Sequence, residues 1–248
     1  MTTNPNVYIH ELIDVIGHNR ARYMHHMTAN WCPVGRKERN MSCFGVWATV
    51  GSTGAWPQVV NLWELDGWAG LAANFEHELV GGGAQDPSLA EWWAAAAELR
   101  RGGLDRIVVP EPWSPTIGEL TAAGVKGTVY AHELIRLPVG RAKGFLDALA
   151  VSGRPAVEAF DLRCVGAFRV AMSTDSEAIV IWAIPDLATW AAFERHWDDG
   201  ALAPWRAVLD ALEANVHRTL LVDAPLSPMR IGRQPAVSDR RPLSEIGP

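Results

Sequence analysis

The sequence predicts an α+β protein in which one structural unit occurs twice. The stretch VYIHEL at residues 7–12 returns as VYAHEL at residues 129–134, 122 positions later. The first copy is followed by FGVWAT and VVNLWEL, and the second by VGAFRV and AIVIWAI, in the same order. Each half then closes with a helical stretch, a short apolar strand and a Pro-x-Ser-Pro exit. Matched landmarks in one order indicate a tandem duplication.

Each half has the element order of a ferredoxin-like unit: strand, helix, strand, strand, helix, strand. Such a unit is a four-stranded antiparallel sheet with helices on one face. Because one unit leaves its other sheet face bare, we predict that the two pack sheet to sheet as an intramolecular α/β barrel. Residue periodicity predicts, in the first half, strands at 7–15, 44–50 and 59–65, helices at 19–31, 66–80 and 92–101, and a charged loop at 33–40.

The repeat also sets the expected domain boundaries. Residues 1–115 form the first ferredoxin-like repeat, residues 116–128 a linker, and residues 129–228 the second repeat. The tail at 229–248 has little periodicity and three prolines, so we predict that it is extended or disordered unless it wraps a neighbouring subunit. The glycine run at 81–83 predicts a flexible loop, either a lid over a pocket or a plain connection. It does not match a phosphate-binding motif.

Composition narrows the classes of partner. The net charge of −6 and the lack of a basic stripe argue against nucleic acid and anionic membranes. No stretch approaches the roughly 20 apolar residues of a membrane span. The three cysteines have no CxxC spacing, which indicates neither a zinc ribbon nor a disulfide framework and favours a cytoplasmic location. We therefore expect a small-molecule partner, and leave open whether the chain forms a homo-oligomer.

Glu11 is the first candidate for chemistry. It is the one carboxylate in an otherwise apolar row of alternate residues of the first strand, and Glu133 repeats this placement in the second half. Desolvation raises the pKa of such a carboxyl toward the range that is useful for general acid–base catalysis. The alternative is a structural glutamate paired with an arginine or a backbone donor.

Further candidates surround Glu11 in the first half. His26 or His10 is the expected second proton-transfer group, whereas His25 is predicted to face solvent or a partner subunit. Asn61 corresponds to Val180 in the second copy, and a polar group present in one copy only is typical of a specialised site. The residues expected to contact substrate are Tyr23, Trp47, Asn61, Trp63, Glu133, Arg169 and Trp182. The 12 tryptophans could line a pocket or fill a core.

These residues resemble a known family. The first-strand YxxEL pattern, FGVWATVG, and VVNLWEL running into a helix are similar to the NIPSNAP group of the dimeric α/β-barrel superfamily. The resemblance covers residues 5–115 and 125–228. An arginine often stands two positions after the strand-one glutamate in that family, and here Ile13 stands there, while Arg136 lies three positions after Glu133.

The resemblance implies several chemistries, because fold alone does not select one. Our leading hypothesis is a cofactor-independent enzyme of the isomerase, lyase or hydratase type that acts on a small, mostly apolar molecule in an aromatic-lined cavity. The alternatives are a haem enzyme of the chlorite dismutase or aldoxime dehydratase kind, a cofactor-free monooxygenase, and a non-catalytic ligand-binding protein. For haem, His196 or His217 would be the axial ligand, with His217 predicted near a helix end. The histidine spacing does not indicate a metal site.

Overall fold

A computed structural model, which describes residues 3–79 and 86–247, confirms the predicted fold class. The strands form one closed antiparallel barrel in the order β1-β3-β2-β8-β5-β7-β6-β4. Pairing of β2 with β8 and of β4 with β6 joins the two halves. The strands are β1 (Val7–Val15), β2 (Met41–Thr49), β3 (Gln58–Leu65), β4 (Arg100–Pro110), β5 (Val129–Arg136), β6 (Arg163–Ala171), β7 (Glu177–Ile184) and β8 (Asn215–Asp223).

Helices cover the outer faces of the barrel, and α5 and α10 close one end of its lumen with Ile117, Leu120 and Met229. Among the described residues no helix has the length and apolar character to cross a membrane. The helices are α1 (Arg20–His25), α2 (Cys32–Arg39), α3 (Gly67–Glu78), α4 (Ala90–Ala97), α5 (Ile117–Ala122), α6 (Ala142–Ala148), α7 (Arg154–Glu158), α8 (Leu187–Asp198), α9 (Ala203–Ala211) and α10 (Pro228–Ile231), with π-helical segments at His26–Trp31 and Leu149–Gly153.

The barrel lumen is a packed core. Alternate residues of each strand point inward, and the large aromatic side chains meet there: the ring centroids of Tyr8 and Phe168 are 5.0 Å apart, and those of Trp47 and Tyr130 are 5.8 Å apart. Trp47, which we predicted as a wall of the substrate pocket, is one of these core residues. Small-molecule chemistry must therefore be sought on the outer faces.

One glycine in the second strand of each half gives an aromatic ring room to pack against the strand. At Gly45 and Gly166 the strand pairing shifts register, and the ring of the residue two positions later folds back over the glycine. A Cβ at Gly45 would lie 2.1 Å from the Trp47 ring, and one at Gly166 would lie 2.4 Å from the Phe168 ring. The repeated glycine-and-aromatic stretch thus has a packing cause.

The charged stretch at 33–40 is a helix, so its interpretation as a loop was wrong. Pro33 is tolerated in the first turn of α2 because its missing backbone N–H is not required there. Asn40 ends the helix in a left-handed conformation with φ 47°. Arg39 is buried and donates to Glu78 at 2.7 Å and to Asp86 at 3.0 Å. This ion pairing ties α2 to the end of α3.

The C-terminal segment packs against the first half of the chain. After α10, Gln234 exchanges two hydrogen bonds with the backbone of Cys43, at 3.0 and 2.7 Å. The backbone N–H of Arg241 donates to His25 Nε2 at 3.2 Å, so His25 is buried under this segment and does not face solvent. The predicted glycine loop at 81–83 lies outside the described residues.

Candidate active site

Glu11 lies on the outer face of β1, among the side chains that face the helices of the first half. Its Oε2 accepts hydrogen bonds from Asn61 Nδ2 at 2.7 Å and from Trp63 Nε1 at 2.9 Å. Both donors come from β3, where Asn61 is directly opposite Glu11 in the strand register. Among the described residues Oε1 receives no hydrogen bond. One oxygen is thus anchored and the other is free.

Tyr23 completes this hydrogen-bonded group. It lies on α1, is fully buried, and its hydroxyl oxygen accepts from Asn61 Nδ2 at 2.9 Å. Desolvation and the nearby Glu11 carboxyl raise the pKa of the Tyr23 hydroxyl, so it stays protonated over the physiological range. Four of the predicted residues, Glu11, Tyr23, Asn61 and Trp63, are therefore in one cluster.

The pKa of Glu11 is raised to about 7, chiefly by desolvation and then by the negative charge of Asp105. The hydrogen bonds from Trp63 and Asn61 and the charge of Arg100 act in the opposite direction but do not cancel this. Asp105 is on β4, directly opposite Glu11 in the register. Residues in that position have Cβ atoms about 5 Å apart. Near neutral pH Glu11 can therefore both take up and release a proton.

Glu11 opens into a cleft between the sheet and the helices, made of two adjoining compartments. The inner one, of about 70 Å³, lies among aromatic and methionine side chains with Arg100 at its edge; the outer one has about 510 Å³. Both compartments are lined by Ile9, Glu11, Asn74, Glu78 and Trp93; Met27, Trp31, Met41, Trp63, Trp92 and Arg100 line the inner one, and Phe75, Leu79, Asp105, Arg106, Ile107, Met172 and Ser173 the outer one.

His26 does not line this cleft but packs behind its aromatic wall. Its ring stacks on Trp92 with centroids 4.8 Å apart, and its Nε2 lies 3.3 Å from the Trp92 carbonyl oxygen. The other ring nitrogen faces the Asn30 amide at 3.1 Å. Burial lowers the pKa of His26, which favours the neutral ring. Its contacts are those of a side chain that supports Trp92.

His10 lies on the opposite face of β1 from Glu11, in the lumen. Its Nε2 is 2.9 Å from Nε2 of His132, the equivalent residue of the second half, and the rings are stacked. Burial lowers the pKa of both imidazoles, that of His132 to about 4. The barrel wall separates His10 from the cleft, so the structure does not bring it together with Glu11.

The equivalent carboxylate of the second half, Glu133, is neutralised. It accepts from Trp182 Nε1 at 2.9 Å and forms an ion pair with Arg218 at 2.7 Å. In the strand register Arg218 faces Glu133 as Asp105 faces Glu11. Phe145 and other side chains from α6, α8 and α9 fill the space over this sheet. Glu133 and Trp182 are therefore part of a closed structural core.

Arg169 is also away from the cleft. It lies on the outer face of β6, opposite Val109 of β4, and its guanidinium makes a long contact of 3.5 Å to the Val170 carbonyl oxygen. A separate open groove of about 460 Å³ runs beside Trp113 and Arg154 in the second half. Its lining does not include Glu133 or Arg169, so it joins none of the predicted residues.

The residues proposed as haem ligands do not fit that role. His217 is an exposed residue of β8, whereas we predicted it near the end of a helix. His196, on the surface of α8, lies 3.0 Å from the Asp199 carboxylate and packs on Phe160. Neither lines the cleft of Glu11, and no cluster of three or more potential metal ligands occurs in the described part of the chain.

Two residues of this site were missed by the sequence reasoning. Asp105 and Arg100 both belong to β4, whose first residues were assigned to the preceding helix. Asp105 and Arg218 are equivalent positions of the last strand of each half, since they lie opposite Glu11 and Glu133. An alignment of the two strands on that basis would have shown that the charge is reversed between the halves.

Comparison with solved structures supports the fold of the dimeric α/β barrels. No family model matches this chain, and no curated protein matches its sequence. A candidate monooxygenase from Lactobacillus acidophilus NCFM superposes with a TM-score of 0.54 at 8% identity, over 88% of this chain and 94% of that one. A candidate monooxygenase from Fusobacterium nucleatum (TM-score 0.51, 7% identity) and an anthrone oxidase-like protein (TM-score 0.51, 9% identity) each cover 88% of this chain and 92% of their own. At these identities the likeness defines the fold alone.

Proposed function

We propose that this protein is an enzyme that moves a proton on a small, mostly apolar molecule, with Glu11 as the proton-transfer group. The observation that carries the proposal is a carboxyl with a pKa of about 7 whose Oε2 is held by two donors at the wall of an aromatic cleft. Its counterpart Glu133 has the same place in the repeat but is paired with an arginine. A scaffold role would need neither the cleft nor the altered pKa.

The geometry suggests how the step proceeds. Trp63 and Asn61 fix the carboxyl plane, so Oε1 is the oxygen that faces substrate. Glu11 as carboxylate takes a proton from an acidic position, and the resulting acid returns it to another position, which gives an isomerisation, or to a leaving group, which gives an elimination. Asp105 is the proposed second titratable group, in place of His10 and His26. It favours the protonated form of Glu11 and so strengthens it as a base.

A cofactor-free monooxygenase is the second candidate. Two neighbours of similar fold are candidate monooxygenases and a third is anthrone oxidase-like. Removal of a proton from an electron-rich aromatic substrate would be the first step of that chemistry too, and would again use Glu11. Consumption of molecular oxygen with substrate distinguishes the two functions, because isomerisation and elimination consume none.

The proposal also includes the expected family, cellular location and partners. The closer likeness to the NIPSNAP group rests on the strand motifs, and a cytoplasmic location rests on three cysteines without a disulfide pattern, all of them buried and free. We keep a small molecule as the partner and exclude nucleic acid and membrane surfaces on the net charge of −6. Assembly into a homo-oligomer stays open.

The test is hydrogen exchange at carbon in D₂O. Enolisable ketones, enones and phenols are incubated with protein, and deuterium incorporation is followed by NMR. We expect Glu11→Gln to slow the catalysed exchange by about 100-fold or more, because a positioned base contributes about that much. Glu133→Gln is the matched control; because it removes the closest carboxylate of Arg218, its folding is checked by circular dichroism, and the folded variant should keep the wild-type rate.

Three outcomes would contradict the proposal. Equal exchange rates for Glu11→Gln and wild type would return Glu11 to a structural role. Loss of folding in Glu11→Gln, seen by circular dichroism, would do the same. Absence of exchange with every compound in wild type would favour a non-catalytic binding protein.

A further inference from the structure

We propose that Arg100 is an oxyanion-binding group of the Glu11 cleft, so that the substrate is an aromatic-sized, mostly apolar molecule that bears one anionic or acidic oxygen. This rests on the proposed function only in taking the cleft of Glu11 as the place where substrate binds. The shared chemistry is that of a carboxylate, phenolate or enolate oxygen.

Arg100 is the first residue of β4, where the pairing with β1 shifts register and sets it opposite Val15. Its guanidinium lies over the Trp93 ring at 5.5 Å from the centroid, and it lines the inner compartment together with Glu11 and Trp63. This position places a permanent cation at the apolar end of the cleft.

Arg100 differs from the other arginines that point into the fold. Arg39, Arg106 and Arg218 each have a carboxylate partner within 3.0 Å. Arg100 makes no ion pair with any residue that the structure describes. A guanidinium held against an aromatic ring presents its N–H groups in a fixed plane, and that arrangement matches the oxygen lone pairs of an oxyanion.

The other charges at the cleft do not exclude an anion. Glu78 is paired with Arg39 at 2.7 Å, and Asp86, the other carboxylate on Arg39, also lies 3.1 Å from His77 Nε2. Glu11 carries its proton for much of the time near neutral pH, since its pKa is about 7. Asp105 is exposed at the outer compartment. An anionic oxygen at the inner end would therefore meet Arg100 as its nearest unpaired charge.

This assignment orients the substrate. Its apolar body would lie in the outer compartment against Phe75, Trp93 and Met172, because the inner one of about 70 Å³ is too small for it. Its oxygen would reach into the inner compartment to Arg100, with its acidic hydrogen toward Glu11 Oε1. When Glu11 takes that proton, the electron pair of the broken bond stays on the substrate and is delocalised onto the oxygen, whose charge Arg100 stabilises. Return of the proton restores both partners without any further reactant.

The experiment compares three naphthalene probes of equal bulk by calorimetry: 2-naphthoate, neutral 2-naphthylmethanol, and cationic 2-naphthylmethylamine. We expect wild type to bind the anion about tenfold or more tightly than the neutral probe, as hydrogen bonds to a charged group provide. Arg100→Met should reduce this preference to less than about threefold while keeping the neutral affinity. Arg101→Met, an exposed neighbour, should match wild type.

Arg100→Lys keeps the charge and should retain part of the preference, which separates charge from packing if Arg100→Met is unstable. An anion preference that survives in Arg100→Met, a wild-type preference for the neutral or cationic probe, or binding of none of the three would overturn the assignment. Repeating the titration in Glu11→Gln separates the two proposals. Loss of exchange on Glu11→Gln with an unchanged preference in Arg100→Met would sink only the Arg100 assignment, and the converse would sink only the role of Glu11.

Discussion

The two outer faces of the barrel use one backbone plan with opposite electrostatics. Glu11 and Glu133 occupy the same row of equivalent strands, and each accepts a hydrogen bond from a tryptophan of the neighbouring strand, at 2.9 Å in both cases. Across the other neighbouring strand, however, Glu11 faces Asp105 and Glu133 faces Arg218. The repeat fixes where the carboxyl lies, and the residue opposite it on the adjacent strand is an acid on one face and an arginine on the other.

The two outer faces also differ in how completely side chains fill the space over the glutamate. Asn61 of the first face is Val180 in the second, and the first face has a cavity at its glutamate. In the second face Phe193 and Trp205 help fill the corresponding space. After duplication, one copy of the unit can keep a fully packed outer face for stability while the other retains a cavity on its outer face. The largest expected effect comes from breaking the ion pair between Glu133 and Arg218.

Replacing Arg218 by Met should be strongly destabilising, by about 3–5 kcal/mol, because it leaves the buried Glu133 carboxylate without its partner. Urea unfolding followed by circular dichroism measures this free energy. Arg100→Met is the comparison variant; it loses the stacking contact on Trp93 and the attraction of the Arg100 charge to Glu11 and Asp105, and should cost less than Arg218→Met, about 1 kcal/mol, because Arg100 has no ion pair with a described residue. Equal losses for both variants would show that the two faces are electrostatically alike.

Glu11 should make a distinct contribution to the pH dependence of stability. The folded-state pKa of Glu11 is about 7 against an ordinary value of 4.5, so the folded protein keeps a proton that the unfolded chain has released. The contribution of Glu11 to the free energy of unfolding therefore falls as pH rises from about 4.5 to about 7, by about 3 kcal/mol, and is constant above that.

The measurement is the difference in unfolding free energy between wild type and Glu11→Gln across this range, which isolates Glu11 from other buried acids such as Glu64. Glu133→Gln serves as the control and should leave the slope in place. A slope unchanged in Glu11→Gln would assign it to another group.

Asp105→Asn should have the smallest effect. Removing this charge takes away the repulsion that favours the protonated Glu11, so the Glu11 titration midpoint should fall from about 7 by about one pH unit. Carbon-13 NMR of the labelled glutamate carboxyl follows this directly. Asp14→Asn, an exposed acid on the same strand as Glu11, should leave the midpoint unchanged. A midpoint that stays near 7 in Asp105→Asn would mean that desolvation alone sets it.

Much of the fold could be read from the sequence because the repeat and the alternation of apolar residues are local signals. The first strand was predicted at its observed bounds, and the Glu11, Asn61 and Trp63 group followed from residues that share a face. Gly45 and Gly166 recur in the two halves because an aromatic ring packs over each of them and leaves no room for a Cβ.

The failures were at places where distant segments meet. Helix α2 looked like a loop because its charges gave no apolar stripe, and the partners of Arg39 come from residues 78 and 86. His25 seemed exposed because the segment that covers it is over 200 positions away. Trp47 could be placed on a strand, but the side that faces the lumen was fixed only by the barrel closure.

Closure of the barrel by one chain also has a consequence for concentration. When two separate chains form such a barrel, dilution pulls them apart by mass action. Here the two sheets are joined through α5 and the residues around it, so each sheet always meets its partner at a high effective concentration. The seams between β2 and β8 and between β4 and β6 should therefore be equally populated at nanomolar and millimolar protein.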